Sequence, residues 1–420
     1  MAKIFFFNVP AHGHINPTLP IVEMLLAEGH EVVYYNFEAF RAKVSATGAL
    51  FRAYPLAFGP STHDLRCLPK MYYHIWACCD ALLEWLLEEV RLHRPDCIVH
   101  DSLCTWGKLA ARLAKVPAVS LHTFFVFSNR GIVFALLHNP SILLKCANWL
   151  GIKNLRFWWE ARKLKRALLE RWGINRAEFA GMFSNTQPTN IVFTSRLIHP
   201  DTFDQRGPDR YHFVGACVSA HKQLGLDFAL DEASGWPLVY VSLGTSQSNN
   251  RIEPFKRVLS AFSGQPFRVV VSLGGRLSRG GLGAVPTNVT VREFVPQVEI
   301  LAKADLFITH AGMNGVHESL LCGVPMIAVP LQGEQFVNAQ RVVELGCGLI
   351  FDIDGMPPAL LLEKAKLIMA SGGFKERARL VGGALRRSGG ARKAVAVILE
   401  TAASRRQVGA LRENALLKSS

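Results

Sequence analysis

The sequence has no run of about 18 or more uncharged apolar residues, so no segment reads as a helix long enough to span a bilayer. It has no Cys-x-x-Cys pair and no Cys/His cluster with zinc-site spacing. Nine scattered cysteines in 420 residues read as reduced thiols buried in a cytosolic protein. The N-terminal stretch lacks the long apolar core and small-residue cleavage site of a signal peptide, so none is expected. Gly and Pro, 34 and 21 residues, show no period, which excludes collagen-like and low-complexity chains. Acidic residues are the scarcer sign: 47 basic against 33 acidic give a net charge of +14. That balance favours anionic partners, whether nucleic acid, a membrane surface or phosphorylated small molecules. Half the residues are apolar, enough to bury a core and exclude disorder.

Apolar runs and helical periods alternate along the chain. Lys3–Val9 reads as a buried parallel strand and Pro10–Asn16 as loop, with Asn16 as cap and Pro17 in the first turn of a helix. Gly29 is placed to end that helix, and Glu31–Tyr35 follows as the second strand of a βαβ unit. Cys97–His100, Ala118–Leu121, Ile191–Thr194 and His212–Val214 continue the first half. A second series runs through Leu238–Val241, Phe267–Val271, Val289–Val291, Leu306–Thr309 and Met326–Val329. The expectation is two doubly wound α/β domains in tandem: residues 1–215, a polar linker at 216–236, a second domain at 237–395, and a C-terminal helix and tail at 396–420 packing back on the first.

The stretch from Thr309 to Ser319, THAGMNGVHES, follows a strand and opens a helix. Glycines there let backbone approach an anion, and the first free amides of the helix face it. His310 at the strand's carboxyl end can donate to a diphosphate oxygen. Glu318 lies one turn from Asn314 and can accept two hydrogen bonds from a ribose diol. Gly and Asn are also ordinary turn residues, but two flanking motifs narrow the reading. Phe294-Val295-Pro296-Gln297 precedes the stretch. Gly323-Val324-Pro325 follows it and leads to Gln332, Gly333, Glu334, Gln335 and Asn338.

In this order and spacing the motifs form a nucleotide-sugar constellation. The chain resembles family 1 glycosyltransferases of GT-B fold, of the bacterial macrolide/antibiotic glycosyltransferase type, over nearly its full length. The resemblance implies two Rossmann-like domains facing a central cleft, with acceptor residues from the first and donor residues from the second. It implies that Phe294 stacks on the base where plant members have Trp, with Val295 beside it and Gln297 at the base edge. His310, with the backbone at Gly312, Met313, Asn314 and Gly315, would hold the diphosphate, and Glu318 the ribose. Glu334 and Gln335 would hold the sugar, and Ser242 and Thr245 would touch phosphate. Met313, Gly315 and Glu334 stand where plant members have Trp, Ser and Asp. A deoxyribose lacks the 2′-hydroxyl that Glu318 would grip, so UDP-glucose is the first choice of donor.

The loop Pro10–Pro17 carries His12 and His14. A sugar acceptor's hydroxyl is a poor nucleophile at neutral pH and needs a base within about 3 Å, for which imidazole is suited. The resemblance selects His14, since the family's base is followed by two residues and then Pro. Asp101 can bind one ring nitrogen and fix the tautomer, and the family has its catalytic Asp there. His12, His100 and His122 read as structural. The expected reaction inverts the anomeric centre and uses no metal or cofactor. Asp352-Ile353-Asp354 reads as a turn before a helix rather than a metal motif.

Phe37, Phe58, Tyr72, Tyr73, Trp76, Trp85 and the run Phe124–Phe127 supply aromatic surface for an apolar phenolic, polyketide or terpenoid acceptor. The basic, Trp-rich segment 154–180 reads as a solvated helix with Trp on its buried face. Its rival reading is a membrane-surface helix, as in lipid glycosyltransferases. A non-catalytic nucleotide-sugar-binding protein on the same fold is the other alternative. A cytoplasmic monomer that binds no nucleic acid is expected.

Overall fold

The computed structural model describes residues 1–56, 67–126, 155–179, 185–200, 210–218, 235–244, 251–274 and 277–417, the side chains of 177–178 and 405–417 excepted. Seven strands build the first sheet: β1 (Lys3–Phe7), β2 (Glu31–Asn36), β3 (Leu50–Ala53), β4 (Cys97–Asp101), β5 (Ala118–His122), β6 (Thr189–Val192) and β7 (Tyr211–Phe213). Their order is β3-β2-β1-β4-β5-β6-β7, every pair parallel. Six strands build the second: β8 (Leu238–Ser242), β9 (Arg268–Ser272), β10 (Val289–Arg292), β11 (Leu306–Thr309), β12 (Met326–Ala328) and β13 (Gly348–Ile350). They run β10-β9-β8-β11-β12-β13, again parallel throughout. Counted from its own first strand, each sheet shares the order 3-2-1-4-5-6. The first strand of each is therefore the topological switch point, where open α/β sheets bind ligands at the carboxyl ends of their strands.

The helices used below are α1 (Leu19–Ala27), α2 (Leu68–His93), α3 (Thr105–Ala114), α4 (Leu155–Arg171), α5 (Glu253–Phe262), α6 (Met313–Leu321), α7 (Gln335–Glu344), α8 (Pro358–Ala370), α9 (Gly372–Arg387) and α10 (Gly390–Leu417). Strand alternation sends Phe5, Phe7, Val33, Tyr35 and Ile98 to one face of the first sheet, where they pack with Leu82 and Leu86 of α2 and Trp106 and Leu109 of α3. Ile4, Phe6, Val32, Tyr34 and Val99 go to the other, against Ile21, Val22 and Leu25 of α1 and Val395 and Ile398 of α10. The second sheet lays Val239, Val241, Val269, Val271 and Ile308 on Phe255, Val258 and Phe262 of α5 and Leu361 and Ile368 of α8. Each buried side chain of this size contributes ~2 kcal/mol of transfer free energy.

The chain folds as two compact units whose boundaries differ from those read from sequence. The first contains Met1–Ser195, Asp201–Ser219 and Ser388–Ser420; the second contains Arg196–Pro200 and Ala220–Arg387. The short excursion at 196–200 joins the second unit because the Arg341 guanidinium donates to the carbonyls of Leu197 and Ile198 at 2.8 and 2.9 Å. The return to the first unit comes at 388, ahead of the expected 396. There Gly390 N–H donates to the Val214 carbonyl and the Lys393 ammonium to that of Phe213. Of the expected linker at 216–236, residues 219–234 lie outside the described residues.

Candidate functional site

In the first unit the segment after β1 is not the irregular loop expected from its prolines. It coils at once into a helical turn, His12–Ile15, runs through a 3-10 turn at Asn16–Thr18 and continues into α1. Asn16 makes no side-chain cap. Asn8, buried at the end of β1, donates from Nδ2 to the His14 carbonyl at 3.2 Å and to the Tyr34 hydroxyl at 2.8 Å. This ties the turn to the sheet. Asp101 is the last residue of β4, which pairs directly with β1. Its side chain is 1% exposed, and Oδ1 accepts the Leu103 N–H at 2.7 Å.

Asp101 Oδ2 lies 2.7 Å from His14 Nδ1, and the Thr123 hydroxyl 3.0 Å from the same nitrogen. A carboxylate only accepts, so Nδ1 carries the hydrogen and the lone pair falls on Nε2. The His14 side chain is 17% exposed, open enough to meet a ligand, and the Phe124 ring stands edge-on to it at 6.1 Å. The other histidines have different surroundings. His100 is buried, its Nδ1 donating to the Asp101 carbonyl, and burial depresses it to about 4. Burial depresses His122 equally. The His12 ring packs against Phe40.

In the second unit Ser242 ends β8 and Thr309 ends β11, and the two are register partners. Thr245 lies outside the described residues. The His310 ring sits between two glycines: a Cβ on Gly244 would lie 2.7 Å from its Cε1, and one on Gly312 would run into Nε2. Gly244 also has φ +83°. Burial depresses His310 to about 4, with the Ser242 backbone acting the other way. His310 is therefore a neutral imidazole near pH 7. Its Nδ1 is buried without a hydrogen bond of normal geometry.

Ala311 adopts φ +61°, the left-handed region that costs a Cβ-bearing residue about 1–2 kcal/mol. Two contacts hold it there. Its N–H donates to Thr309 Oγ1 at 3.3 Å, and its carbonyl accepts from Asn338 Nδ2 at 2.9 Å. The twist delivers Gly312 as the N-cap of α6 with no side-chain cap, and the amino end of a helix is where an anion is favoured. Met313 and Gly315 are buried and Asn314 half-buried.

Further along α6, Glu318 accepts from Gln297 Nε2, and Gln297 Oε1 accepts from the Tyr240 hydroxyl at 3.0 Å. Burial raises the Glu318 pKa and the Gln297 bond offsets part of that. Phe294 is 48% exposed, while Val295 is buried. Glu334 is exposed. Gln335 is 3% exposed, and its Oε1 accepts the N–H groups of Leu331 and Gln332 at 2.9 and 3.2 Å. Its oxygen is thus committed to its own loop, and its NH2 is the part left to donate to a ligand.

The structure brings His14 and Asp101 together in one unit. In the other it groups Ser242, Gln297, His310, Glu318 and the start of α6 around the carboxyl ends of β8 and β11. Sequence reasoning missed Thr123, Tyr240 and Gly244. Their signals, one residue type in a strand or loop, are indistinguishable from core and turn residues. Asp354 pairs through both carboxylate oxygens with Arg251, and Asp352 Oδ1 accepts the Asp354 N–H, which is a turn. Among the described residues no three His, Cys, Asp or Glu side chains gather as a metal site.

The profile of the UDP-glucoronosyl and UDP-glucosyl transferase family matches residues 210–382. The chain is 31% identical to the NDP-glycosyltransferase YjiC of Bacillus subtilis, over 94% of this chain and 96% of that one. The chain belongs to the UDP-glycosyltransferase family. Another relative, the oleandomycin glycosyltransferase of Streptomyces antibioticus, is 30% identical, with 94% of this chain and 90% of that one covered. Among solved structures, the glycotransferase of kitacinnamycin superposes with a TM-score of 0.80 at 26% identity, covering 95% of this chain and 99% of that one. CalG4, the calicheamicin glycosyltransferase, does so with 0.78 at 26% identity, covering 96% and 98%. The two parallel-sheet units are those of a GT-B glycosyltransferase, an enzyme that takes a sugar from a nucleotide-sugar donor to a small-molecule acceptor.

Proposed function

We propose that this UDP-glycosyltransferase moves a hexose, glucose by first choice, from a UDP-sugar to a hydroxyl of an apolar phenolic, polyketide/macrolide or terpenoid acceptor, with inversion. The observation that carries the reading is the 2.7 Å contact between His14 Nδ1 and Asp101 Oδ2 at the switch point of the first sheet. It is the arrangement a general base needs: the carboxylate fixes the tautomer and stabilises the imidazolium that forms.

The acceptor proton passes to His14 Nε2 as the acceptor oxygen bonds to the anomeric carbon. The bond from that carbon to the diphosphate breaks on the opposite face, so an α-linked donor gives a β-glycoside and UDP. Charge developing on the diphosphate is met by His310, Ser242 and the first amides of α6. A neutral His310 donates one N–H and does not trap the product as a fixed cation would. Glu318 takes the ribose, Phe294 the base with Gln297 at its edge, and Glu334 with the Gln335 NH2 the sugar. No metal or cofactor enters this reaction.

A donor panel tests the proposal. The protein is incubated with UDP-glucose, UDP-galactose, UDP-N-acetylglucosamine and dTDP-glucose plus a phenolic acceptor, and glycosides are read by mass and by anomeric coupling in NMR. The β-glucoside from UDP-glucose is expected. A retained α-anomer or no product from any donor would overturn it.

A second reading, transfer to a lipid acceptor at a membrane surface, is favoured by α4. Trp158 packs on Tyr72, but Trp159 is 66% and Leu155 63% exposed, with Lys163 over the Trp159 ring. The expectation that the tryptophans lie on the buried face fails at Trp159. No helix among the described residues is long and apolar enough to cross a membrane. Flotation with anionic vesicles that is lost in Trp159→Ala would support the lipid reading; a chain that stays unbound keeps the soluble acceptor.

A further inference from the structure

Tyr240 sits in the middle of β8 at 1% exposure, its ring stacked on Phe307 of β11 with centroids 5.0 Å apart and planes 6° from parallel. A ring held this way cannot swing, so its hydroxyl is a fixed point. That hydroxyl donates to Gln297 Oε1 at 3.0 Å. With the amide oxygen engaged, the NH2 of Gln297 must face the other way, and it donates to Glu318 Oε2. A carboxylate only accepts, so Glu318 sets the direction of the bonds in this chain, and Tyr240, its immobile end, sets where the Gln297 amide stands. Without the hydroxyl, Gln297 Oε1 loses its donor, and the amide that holds the Glu318 carboxylate is no longer anchored to the sheet.

We propose that Tyr240 is a specificity-determining positioning residue: through Gln297 it holds the Glu318 carboxylate in the pose that reads the ribose 2′-hydroxyl, and so makes the enzyme select ribonucleotide over deoxyribonucleotide donors. The inference rests on the ribose role given to Glu318 above. Tyr240 touches no part of the donor itself. It works on the far side of the amide, and the neighbouring side chains of Ser242 and Ser272 keep its hydroxyl within one polar cluster. A bond to a charged group is worth about one to two powers of ten in binding, and this is the scale of selection the relay can supply.

The test is calorimetric titration of the full-length protein with UDP and with dUDP, which differ only at the 2′ position. Wild type should bind UDP about tenfold or more tighter than dUDP. Tyr240→Phe keeps the stacked ring and should reduce that ratio to about threefold or less by weakening UDP alone, dUDP staying within about twofold. Gln297→Leu should reduce the ratio as far, and the double variant no further, because the two side chains act in one chain. Thermal melts report folding separately. A ratio left intact in Tyr240→Phe, or equal losses of UDP and dUDP affinity, would overturn the proposal. A wild type that binds both equally removes the ribose role of Glu318 and this inference with it. A wild type that does not bind UDP sinks the donor-site reading itself.

Discussion

At the scale of the residue, Asp101 and Glu318 are carboxylates with opposite duties. Asp101 is a positioner whose two oxygens are spoken for by His14 and the Leu103 N–H. Asp101→Asn would present an NH2 to Nδ1 and push the ring hydrogen to Nε2, the wrong tautomer. The expected result is a fall in kcat of about 10²–10⁴-fold with UDP affinity unchanged, measured by steady-state kinetics and titration. Glu318 is held half-buried against its preference, and burial raises its pKa above the usual 4.5. A folded pKa above the unfolded one stabilises the protein in acid, and that contribution is lost as pH rises through the raised value. Glu318→Gln should therefore raise the melting temperature near neutral pH, the gain vanishing at low pH. It should weaken UDP binding about tenfold. Melts across pH and UDP titration check both signs. The residues to which chemistry is assigned in the proposal, His14, Asp101, His310 and Glu318, were legible because each stands at a strand end or in a spaced motif. Tyr240 and Thr123 were not. A tyrosine in a strand and a threonine after one look like core and turn, and only the fold puts their hydroxyls beside the site.

At the scale of the element, the loop from Thr309 to Gly312 is a strained turn between β11 and α6, and packing rather than propensity holds it. Gly312→Ala would drive a methyl into the His310 ring. It should cost about 1–3 kcal/mol of stability and weaken UDP binding by more than about tenfold, whereas Gly315→Ala meets only ordinary contacts at 3.5 Å and should do neither. Denaturant melts and titration of the two variants side by side decide this. The longer strands were readable from their apolar runs. β3 and β13 were not: Leu50–Ala53 carries Arg52 on a four-residue edge strand, and Gly348–Ile350 is three residues opened by glycine. The turn at His12–Ile15 was read as loop because its Gly and flanking prolines mask a helical path. Asn8 and the neighbouring strands supply what local propensity lacks.

At the scale of the whole molecule, two sheets share one strand order, and each carries polar residues at the carboxyl ends of its first and fourth strands, Asn8 and Asp101 in one, Ser242 and Thr309 in the other. Two tandem α/β halves were legible because apolar strands and amphipathic helices alternate twice. The chain's return at Ser388 was harder to place. Nothing in the composition marks it, and it follows from Val395, Ile398 and Ala402 completing the core behind β4 and β5. Burial depresses His100, His122 and His310 to about 4 and His317 to about 3. Each has a folded pKa below its unfolded 6.5, so its share of stability is present above that value and lost as pH falls toward 4. Urea midpoints should drop across that window, since each of these groups acts with the same sign. A flat profile would mean that these rings reach water in solution.

The central claim is that His14 takes the acceptor proton. The direct measurement is single-turnover formation of the β-glucoside from UDP-glucose and a phenolic acceptor by wild type and by His14→Ala, with UDP affinity measured on both. The account predicts a loss of about 10²–10⁴-fold in the rate with UDP binding unchanged. Equal rates in the two proteins would contradict it.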